Sequence, residues 1–445
     1  MTGTSPGAGT RRIEPSRAAE PSPPVAAGAA WLPAWVRLLP LLVLYAGVVL
    51  AMASDALVAD EGRYLAGAAN ILKGHLASEE TQYLWNGPGY PLYLVPFVAL
   101  GVPLLWAKLG NAVLLFLAMI RFHGALRLVG FGEKGLLATY ALGVFLLLHQ
   151  SLIDMLMTEG LSAYLVCGAA YHFLRSVREP ATATRQAVLA GLHLGYLALT
   201  KVFFGYALTA GLLASGAWWA WRRRHGDGRA ALAARQGALA CALALAVCLP
   251  YLAYTFALTG RAFFWSNSGG AQLYSMTLND GELFGDWLNF DALLLHAPAS
   301  EEQARFHRAL AGMDPVTRDR ALMAAAVRNI EAHPWIYVRN WRSNVNRMVF
   351  GFPVARYPGA ETVATGNRSF VYALPFYVLL LAAWPAWKRR SLVAPEVQAC
   401  FGFAVLSLAG LSLLSAFPRM VFPLLPLLAL WTAAVAKAGG AGRPA

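Results

Sequence analysis

Acidic residues gather in one stretch of an otherwise apolar sequence, directly after its first long apolar run. The segment from Asp55 to Pro91 holds five of the 23 acidic residues in the chain. Asp60 and Glu61 stand side by side in it, within about two helical turns of the apolar run. A carboxylate pair at a membrane surface is costly unless it is solvated or used. Such a pair can take up a proton or hold a cation, and a solvated loop with helix caps is the alternative interpretation.

Three further groups of residues have types that suit chemistry at the same surface. Asn86-Gly87-Pro88-Gly89-Tyr90-Pro91 reads as a rigid turn. Asp154 and Glu159 stand at the mouth of the third and fourth apolar runs, where Asp154 can also act as a helix cap and Glu159 as an interhelical partner. Lys201 and Arg419 are isolated cations at the ends of other apolar runs. Cations there can bind a phosphate, or they can simply extend towards lipid headgroups.

The composition is that of a membrane protein. Hydrophobic residues make up 58% of the chain and charged residues 13%, about half of the charged share in a soluble domain. The formal charge of +13 does not indicate a nucleic-acid partner, because most basic residues lie in short clusters between apolar runs. All four cysteines lie inside apolar runs, so we interpret them as small core residues: Cys167, Cys241, Cys248 and Cys400.

Apolar runs of about 17 to 25 residues recur along the chain, which is the length that crosses a bilayer. We therefore predict an all-α polytopic membrane protein with juxtamembrane helices on its outer face. About ten crossings are predicted, at residues 36–53, 103–122, 134–150, 157–175, 186–201, 203–221, 233–257, 369–387, 396–415 and 420–437. The alternating basic clusters place both termini on the cytoplasmic side.

The chain divides into four predicted parts. They are a disordered cytoplasmic tail at 1–30, an amino-terminal transmembrane catalytic module at 31–258 with its first outer loop at 54–102, a large extracytoplasmic helical loop at 259–368, and carboxyl-terminal transmembrane helices at 369–445. The apolar piece Tyr90–Gly101 is too short to cross and carries two prolines, so we predict an interfacial or re-entrant helix.

The large outer loop carries clear helix-start signals. Ser300 with Gln303 resembles a capping box, and Asp314 precedes a proline at a first helical position. These signals predict helices over 301–313, 315–332 and 335–350. Leu322, Val327 and Ile330 share one side of the second helix, which favours a helix lying on the membrane.

The motifs carry a family resemblance. The segment DEGRYLAGAANILKG resembles the first-loop motif of the GT-C superfamily of polyprenyl-phosphate-dependent glycosyltransferases, where an Asp-Glu pair precedes Arg-Tyr. The closest branch is family 39, with the protein mannosyltransferases and the lipid A aminoarabinose transferase. NGPGYPLYL, ALTK and PRMVFPLLPLL resemble later elements, and Met157-Thr158-Glu159 falls where the family has a second acidic residue. The aminoarabinose branch has a lysine where Asn86-Gly87 stands here, so its substrate is not carried over.

The resemblance implies an integral inverting glycosyltransferase. Such an enzyme moves a sugar from a polyprenyl-phosphate donor to a glycolipid, polysaccharide or protein acceptor. It implies a multi-pass protein of the bacterial inner (plasma) membrane, surrounded by membrane lipids, with its active site facing the periplasm or exterior. A transporter or flippase of a lipid-linked sugar is one alternative, although we find no internal repeat. A surface-polysaccharide polymerase or ligase is another.

The resemblance also implies residue roles. One carboxylate of the first pair takes the acceptor proton as a general base. Later acids orient the acceptor or hold a divalent cation (Mg, Mn or Zn), and two cations bind the donor phosphate. The predicted residues are Asp60 and Glu61 for catalysis, Asp154 and Glu159 for acceptor or metal, Lys201 and Arg419 for the donor phosphate, and Arg63, Tyr64, Pro88 and Tyr90 for positioning the loop.

Overall fold

Helices make up the architecture of the chain. The computed structural model describes residues 32–58, 60–77, 84–147, 153–288, 290–295, 298, 300–351, 390–414 and 416–440. These ranges hold helices and no strand, which confirms the all-α prediction. The helices are α1 (Ala34–Arg37), α2 (Leu39–Met52), α3 (Glu61–Leu72), α4 (Gly89–Ala99), α5 (Leu104–Leu128), α6 (Glu133–Leu147), α7 (Glu159–Arg178), α8 (Ala183–Thr200), α9 (Phe203–Arg224), α10 (Gly228–Thr259), α11 (Gly269–Met276), α12 (Phe290–Leu295), α13 (Glu301–Leu310), α14 (Pro315–Ala332), α15 (Pro334–Phe350), α16 (Pro395–Ser412), α17 (Pro418–Val421) and α18 (Leu425–Gly440).

The helices follow the predicted crossings to within a few residues, except that the crossing predicted at 369–387 lies outside the described residues. In the described part, four stretches are long and apolar enough to cross a membrane: Leu104–Leu128, Gly228–Thr259, Pro395–Ser412 and Pro418–Ala438. The total of ten crossings stays a prediction. All four cysteines are buried and unpaired, as the sequence indicates.

Close helix contacts hold the bundle together at α8 and α10. Gly191 and Gly195 are four residues apart and therefore share one face of α8. A Cβ at Gly191 would lie 2.8 Å from Leu243, and a Cβ at Gly195 would lie 2.7 Å from Val247. The two backbones approach closely only because these positions lack side chains, which is the usual way that membrane helices pack.

The short apolar helix α4 lies against α3 and α8. Its 11 residues begin after Pro88 and include Pro96. Gly101, which follows it, has a φ of +61° and turns the chain into α5. This length is too short to cross a bilayer, in agreement with an interfacial or re-entrant helix.

The outer loop folds as a helical unit with the predicted caps. The Ser300 hydroxyl accepts a hydrogen bond from the Gln303 amide, and Asp314 caps α14 in the same way. One prediction is wrong: Leu322 does not face a membrane, because it is buried with Leu283 and Leu310 in the core of this unit. Val327, in contrast, is 44% exposed, so contact of that side of α14 with a membrane stays a prediction.

The opposite end of the bundle carries a buried carboxylate. Glu396, the second residue of α16, is fully buried, and its Oε1 atom accepts from Arg178 at 2.7 Å and from Arg229 at 2.8 Å. These arginines stand at the end of α7 and the start of α10. The carboxylate of Glu396 thus joins α7, α10 and α16.

Candidate active site

Asp60 lies at the start of α3, immediately before its first residue. The carboxylate is 15% exposed and is held on both sides. Arg63, one helical turn later, donates to Oδ1, and Arg419 donates to Oδ2 at 3.1 Å. Arg419 stands at the start of α17, 359 residues away. The acid of the first outer loop and the late cation therefore form one ion pair.

The two arginines set the ionisation of Asp60. Burial alone raises the pKa of the Asp60 carboxyl, but the positive charges and hydrogen bonds of Arg419 and Arg63 outweigh it. The net result is a pKa below the ordinary value of an aspartate. Asp60 is therefore ionised throughout the physiological pH range.

A second ion pair lies beside the first. Glu159 begins α7 and is buried, and its Oε1 atom accepts from Lys201 Nζ at 3.1 Å. Lys201 directly follows α8. Arg419 is close enough to Glu159 to interact with its charge and also approaches the Sδ atom of Met157 at 3.9 Å. The predicted donor-site cations are therefore not isolated, because each is paired with a predicted site acid.

The turn before α4 positions Lys201 through backbone contact. A Cβ at Gly87 would lie 2.0 Å from the Leu199 carbonyl oxygen, and a Cβ at Gly89 would lie 2.5 Å from Thr200 Oγ1. Tyr196 on α8 also donates to the Gly89 carbonyl at 2.8 Å. The glycines of the predicted rigid turn allow it to seat directly on the end of α8.

Two buried tyrosines pack next to each other beside the cluster. Tyr64 on α3 and Tyr90 on α4 are buried, with ring centroids 5.0 Å apart in an edge-to-face arrangement. The Tyr90 hydroxyl lies 3.2 Å from Asn111 Oδ1 on α5, and Pro88 precedes α4 as its capping residue. These contacts join α3, α4 and α5, and the role of Tyr64, Pro88 and Tyr90 in positioning the first outer loop stays a prediction.

Glu61 points away from Asp60 and is fully buried. Its Oε1 atom accepts from the Leu156 amide at 2.7 Å and lies 3.4 Å from Lys108 Nζ. Its Oε2 atom accepts from the Val58 amide at 2.8 Å. Lys108 in turn donates to the Ser54 carbonyl at 2.6 Å. Glu61 therefore joins the first outer loop to α5 and to the segment that precedes α7.

Asp154 lies in the same buried region, close to Lys108 and Glu61. Its Oδ1 atom has no hydrogen-bond partner in the described part of the chain. Burial raises the pKa of the Asp154 carboxyl, and the nearby Lys108 charge only partly opposes this. Asp154 and Glu159, which the sequence analysis grouped together, thus lie in different surroundings.

The described acids do not assemble into a metal-binding group. No set of three or more His, Cys, Asp or Glu side chains comes together within the described ranges. Asp60, Glu61 and Glu159 are instead paired with lysine or arginine. A divalent cation stays a prediction from the family resemblance, and no step below uses one.

Sequence reasoning missed two residues that shape the site. Lys108 is buried inside the predicted crossing at 103–122, and an ionisable residue inside a span is itself a signal worth following. Trp85 lies beside Arg63, whose guanidinium carbon is 5.2 Å from the centre of the indole. No sequence pattern distinguishes this tryptophan from the other 13.

Two solved membrane proteins are similar to this chain. Archaeal oligosaccharyltransferase AglB from Archaeoglobus fulgidus, in complex with an inhibitory peptide and a dolichol-phosphate, has 15% sequence identity and a TM-score of 0.48. The similarity covers 90% of this chain and 50% of that one, so the chain spans about half the length of AglB. ArnT from Cupriavidus metallidurans, bound to undecaprenyl phosphate, has 17% identity and a TM-score of 0.38, with coverage of 92% and 78%. No protein-family model and no curated protein matches the chain.

Proposed function

We propose that the chain is a membrane glycosyltransferase of the GT-C type, which transfers a sugar from a polyprenyl-phosphate donor to an acceptor at the outer membrane face. The observation that carries this proposal is the joined ion cluster of Asp60, Arg419, Glu159 and Lys201 at one end of the bundle. It combines a carboxylate that can receive a proton with two cations that can hold a phosphate. Inverting sugar transfer from a lipid phosphate needs both functions.

The reaction is a single displacement at the anomeric carbon of the donor sugar. The acceptor oxygen or nitrogen forms a bond to that carbon while the bond from the carbon to the phosphate oxygen breaks. The acceptor proton passes to Asp60, and the polyprenyl phosphate leaves towards Arg419 and Lys201. Charge-assisted hydrogen bonds from these cations stabilise the negative charge that grows on the departing phosphate.

The pairing of Arg419 with Asp60 makes the basicity of Asp60 depend on whether the donor is bound. A carboxylate with a lowered pKa is a weak base, whereas general bases work best with a pKa near the working pH. A donor phosphate on Arg419 competes with Asp60 for the same guanidinium and adds negative charge nearby. Donor binding therefore raises the proton affinity of Asp60 in the complex that reacts.

The substitution Asp60→Asn tests the base. Asparagine is nearly isosteric, so the variant should fold, but it cannot accept the acceptor proton. We expect transfer to fall by roughly 100-fold or more. Because the pKa of Asp60 is lowered in the free protein, kcat/KM of the wild type should show no loss from this group between about pH 8 and about pH 5.

The measurement is mass spectrometry of envelope glycans and lipid-linked sugars from a deletion strain that expresses each variant. Asp55→Asn serves as the matched control, since Asp55 is an exposed aspartate of the same loop. Wild-type and control chains should restore the missing glycan, and Asp60→Asn should not. Full restoration by Asp60→Asn would remove the base from the mechanism. A deletion that instead traps the intact lipid-linked sugar on the cytoplasmic side would favour a flippase.

A further inference from the structure

A small cavity opens beside the ion cluster, between α3 and the turn that precedes α4. Its volume is about 180 Å³. Residues that line it and carry polar or aromatic groups are Arg63, Asn70, Trp85, Asn86 and Tyr251. Neither the proton transfer nor the phosphate contacts described above use this space.

The cavity presents hydrogen-bonding groups that are not otherwise engaged. In the part of the chain that the structure describes, the side-chain amides of Asn70 and Asn86 make no hydrogen bond. Each amide supplies two donors and an acceptor. Amides of residues that line a cavity suit, in this state, a neutral ligand with several hydroxyl groups, because a hydroxyl both donates and accepts.

An aromatic wall completes the cavity. The indole of Trp85 lines the cavity. It contacts the guanidinium of Arg63 and also the ring of Trp287, whose centroid is 5.0 Å away. A rigid indole next to free amides offers an apolar surface together with polar anchors, the usual make-up of a small-molecule site. The CH groups of a sugar ring pack against such a surface.

The size of the cavity suits one ring. Pockets for drug-sized ligands measure about 300–1,000 Å³, so 180 Å³ is too small for an oligosaccharide. A cavity of about 150 Å³ accommodates a single six-membered benzene ring. The space therefore matches one pyranose unit.

We propose that this cavity binds a single pyranose ring, the glycosyl unit of the acceptor. Arg63 links the cavity to the base, because it lines the cavity and donates to Oδ1 of Asp60. Arg419 holds the other oxygen, Oδ2, on the side assigned to the donor phosphate. An acceptor that enters from the Arg63 side faces the anomeric carbon opposite the leaving phosphate, as inversion requires. This assignment rests on the proposed function.

The test measures binding of simple sugars to the full-length protein in lipid nanodiscs. The probes are methyl pyranosides of glucose, galactose, mannose, N-acetylglucosamine and arabinose, titrated by saturation-transfer NMR. Ala66→Phe fills the cavity, since Ala66 lines it and is exposed, and Asn70→Ala removes one amide. Trp335→Ala is the control, because Trp335 is 79% exposed on α15 and does not line the cavity. Binding of undecaprenyl phosphate is measured in the same samples.

We expect at least one glycoside to bind the wild type, with a Kd raised on the order of tenfold in Ala66→Phe and Asn70→Ala and unchanged in Trp335→Ala. Undecaprenyl phosphate should bind all four proteins equally. The proposal is wrong if no glycoside binds the wild type, or if Ala66→Phe binds as tightly. It is also wrong if Ala66→Phe weakens undecaprenyl phosphate instead, since the cavity would then serve the donor. The proposed function itself fails separately, if the wild type does not bind the lipid phosphate.

Discussion

Neighbouring residues take opposite parts in this site. The sequence analysis left open whether Asp60 or Glu61 is the base, because two adjacent carboxylates look alike in a motif. At the start of a helix, successive side chains point about 100° apart, so only one of the two can face the cluster. Asp60 faces it between two arginines, and Glu61 is buried against the Leu156 amide. We therefore propose Asp60 as the base and Glu61 as a positioning residue, and both roles stay predictions.

The ion pairs themselves lay beyond sequence reasoning. Lys201 and Arg419 were predicted as donor-site cations from their places at helix ends, and extension towards headgroups was the alternative. Their partners Glu159 and Asp60 lie 42 and 359 residues away. Such distances in sequence are closed only by packing of whole helices, which no local pattern records. The role of both cations in donor binding stays a prediction.

Replacing Arg419 tests that role. Arg419→Ala removes a charge-assisted hydrogen bond to the donor phosphate, so undecaprenyl phosphate should bind about 2 kcal/mol more weakly, or roughly 30-fold. Arg419→Lys should recover only part of this, because lysine offers one point of contact where arginine offers a fork. Binding in nanodiscs is the measurement, with Arg320→Ala, an exposed arginine of the outer loop, as the control. Unchanged binding in both Arg419→Ala and Lys201→Ala would place the phosphate site elsewhere.

Burial of Asp154 predicts how the stability of the protein depends on pH. Its pKa is raised in the folded state, so the native protein holds this proton more tightly than the unfolded chain. Its contribution to stability is therefore best at low pH and declines as pH rises from about 3.9, the ordinary aspartate value, through the raised folded pKa. Asp154→Asn should raise the melting temperature at about neutral pH and lose this advantage in acid.

Thermal unfolding in detergent at several pH values measures the effect, with Asp55→Asn as the control for an exposed aspartate. A melting temperature that falls in Asp154→Asn at neutral pH would contradict the prediction. A fall that appears only when Mg²⁺ or Mn²⁺ is present would instead support the predicted divalent cation.

At the scale of elements, the sequence predicts where helices begin and end better than it predicts which surfaces they contact. The lengths of apolar runs and the caps at Ser300 and Asp314 fixed where most described helices begin and end, because these signals act within a few residues. The burial of Leu322 was missed, since an amphipathic face does not reveal whether it meets lipid or protein. The sequence also did not predict that the turn before α4 contacts the end of α8, although the glycines of the turn indicated an unusual backbone there.

The contact between this turn and the end of α8 can be tested by adding one methyl group at Gly87. Gly87→Ala places a Cβ 2.0 Å from the Leu199 carbonyl oxygen, so the turn must move away from α8. We expect a lower melting temperature and weaker undecaprenyl phosphate binding, because Lys201 follows the displaced end of the helix. Gly62→Ala on α3 is the matched control, as its Cβ would meet nothing within 4 Å. Equal behaviour of the two variants would show that the turn does not hold Lys201 in place.

At the scale of the molecule, the two ends of the bundle differ in chemistry. The candidate site occupies one end, at the starts of α3, α7 and α17 and the end of α8. The cluster of Arg178, Arg229 and Glu396 occupies the other end, at the end of α7 and the starts of α10 and α16. The alternating basic clusters of the sequence predict that the second end is cytoplasmic.

Labelling of introduced cysteines measures this orientation in intact cells. A cysteine at Glu301, exposed on α13 of the outer loop, should react with an impermeant maleimide, and one at the exposed Gly226 should not. Each is made in a background where the four native cysteines, all buried, are replaced by alanine or serine. The reverse pattern would turn the protein over in the membrane and place the site on the cytoplasmic side.

The pairing of Asp60 with Arg419 links assembly of the candidate site to the order of synthesis. Asp60 leaves the ribosome early, and the arginine that holds its second oxygen follows 359 residues later. Until that late segment has been inserted, a nascent chain has the proposed base without Arg419, one of its two proposed phosphate-binding cations. If the proposed roles hold, the chain cannot use a lipid-linked sugar efficiently while the translocon still holds it. On the proposed mechanism the site is complete only once the last helices are in place, so a chain that stalls before them lacks the ion pair at Asp60.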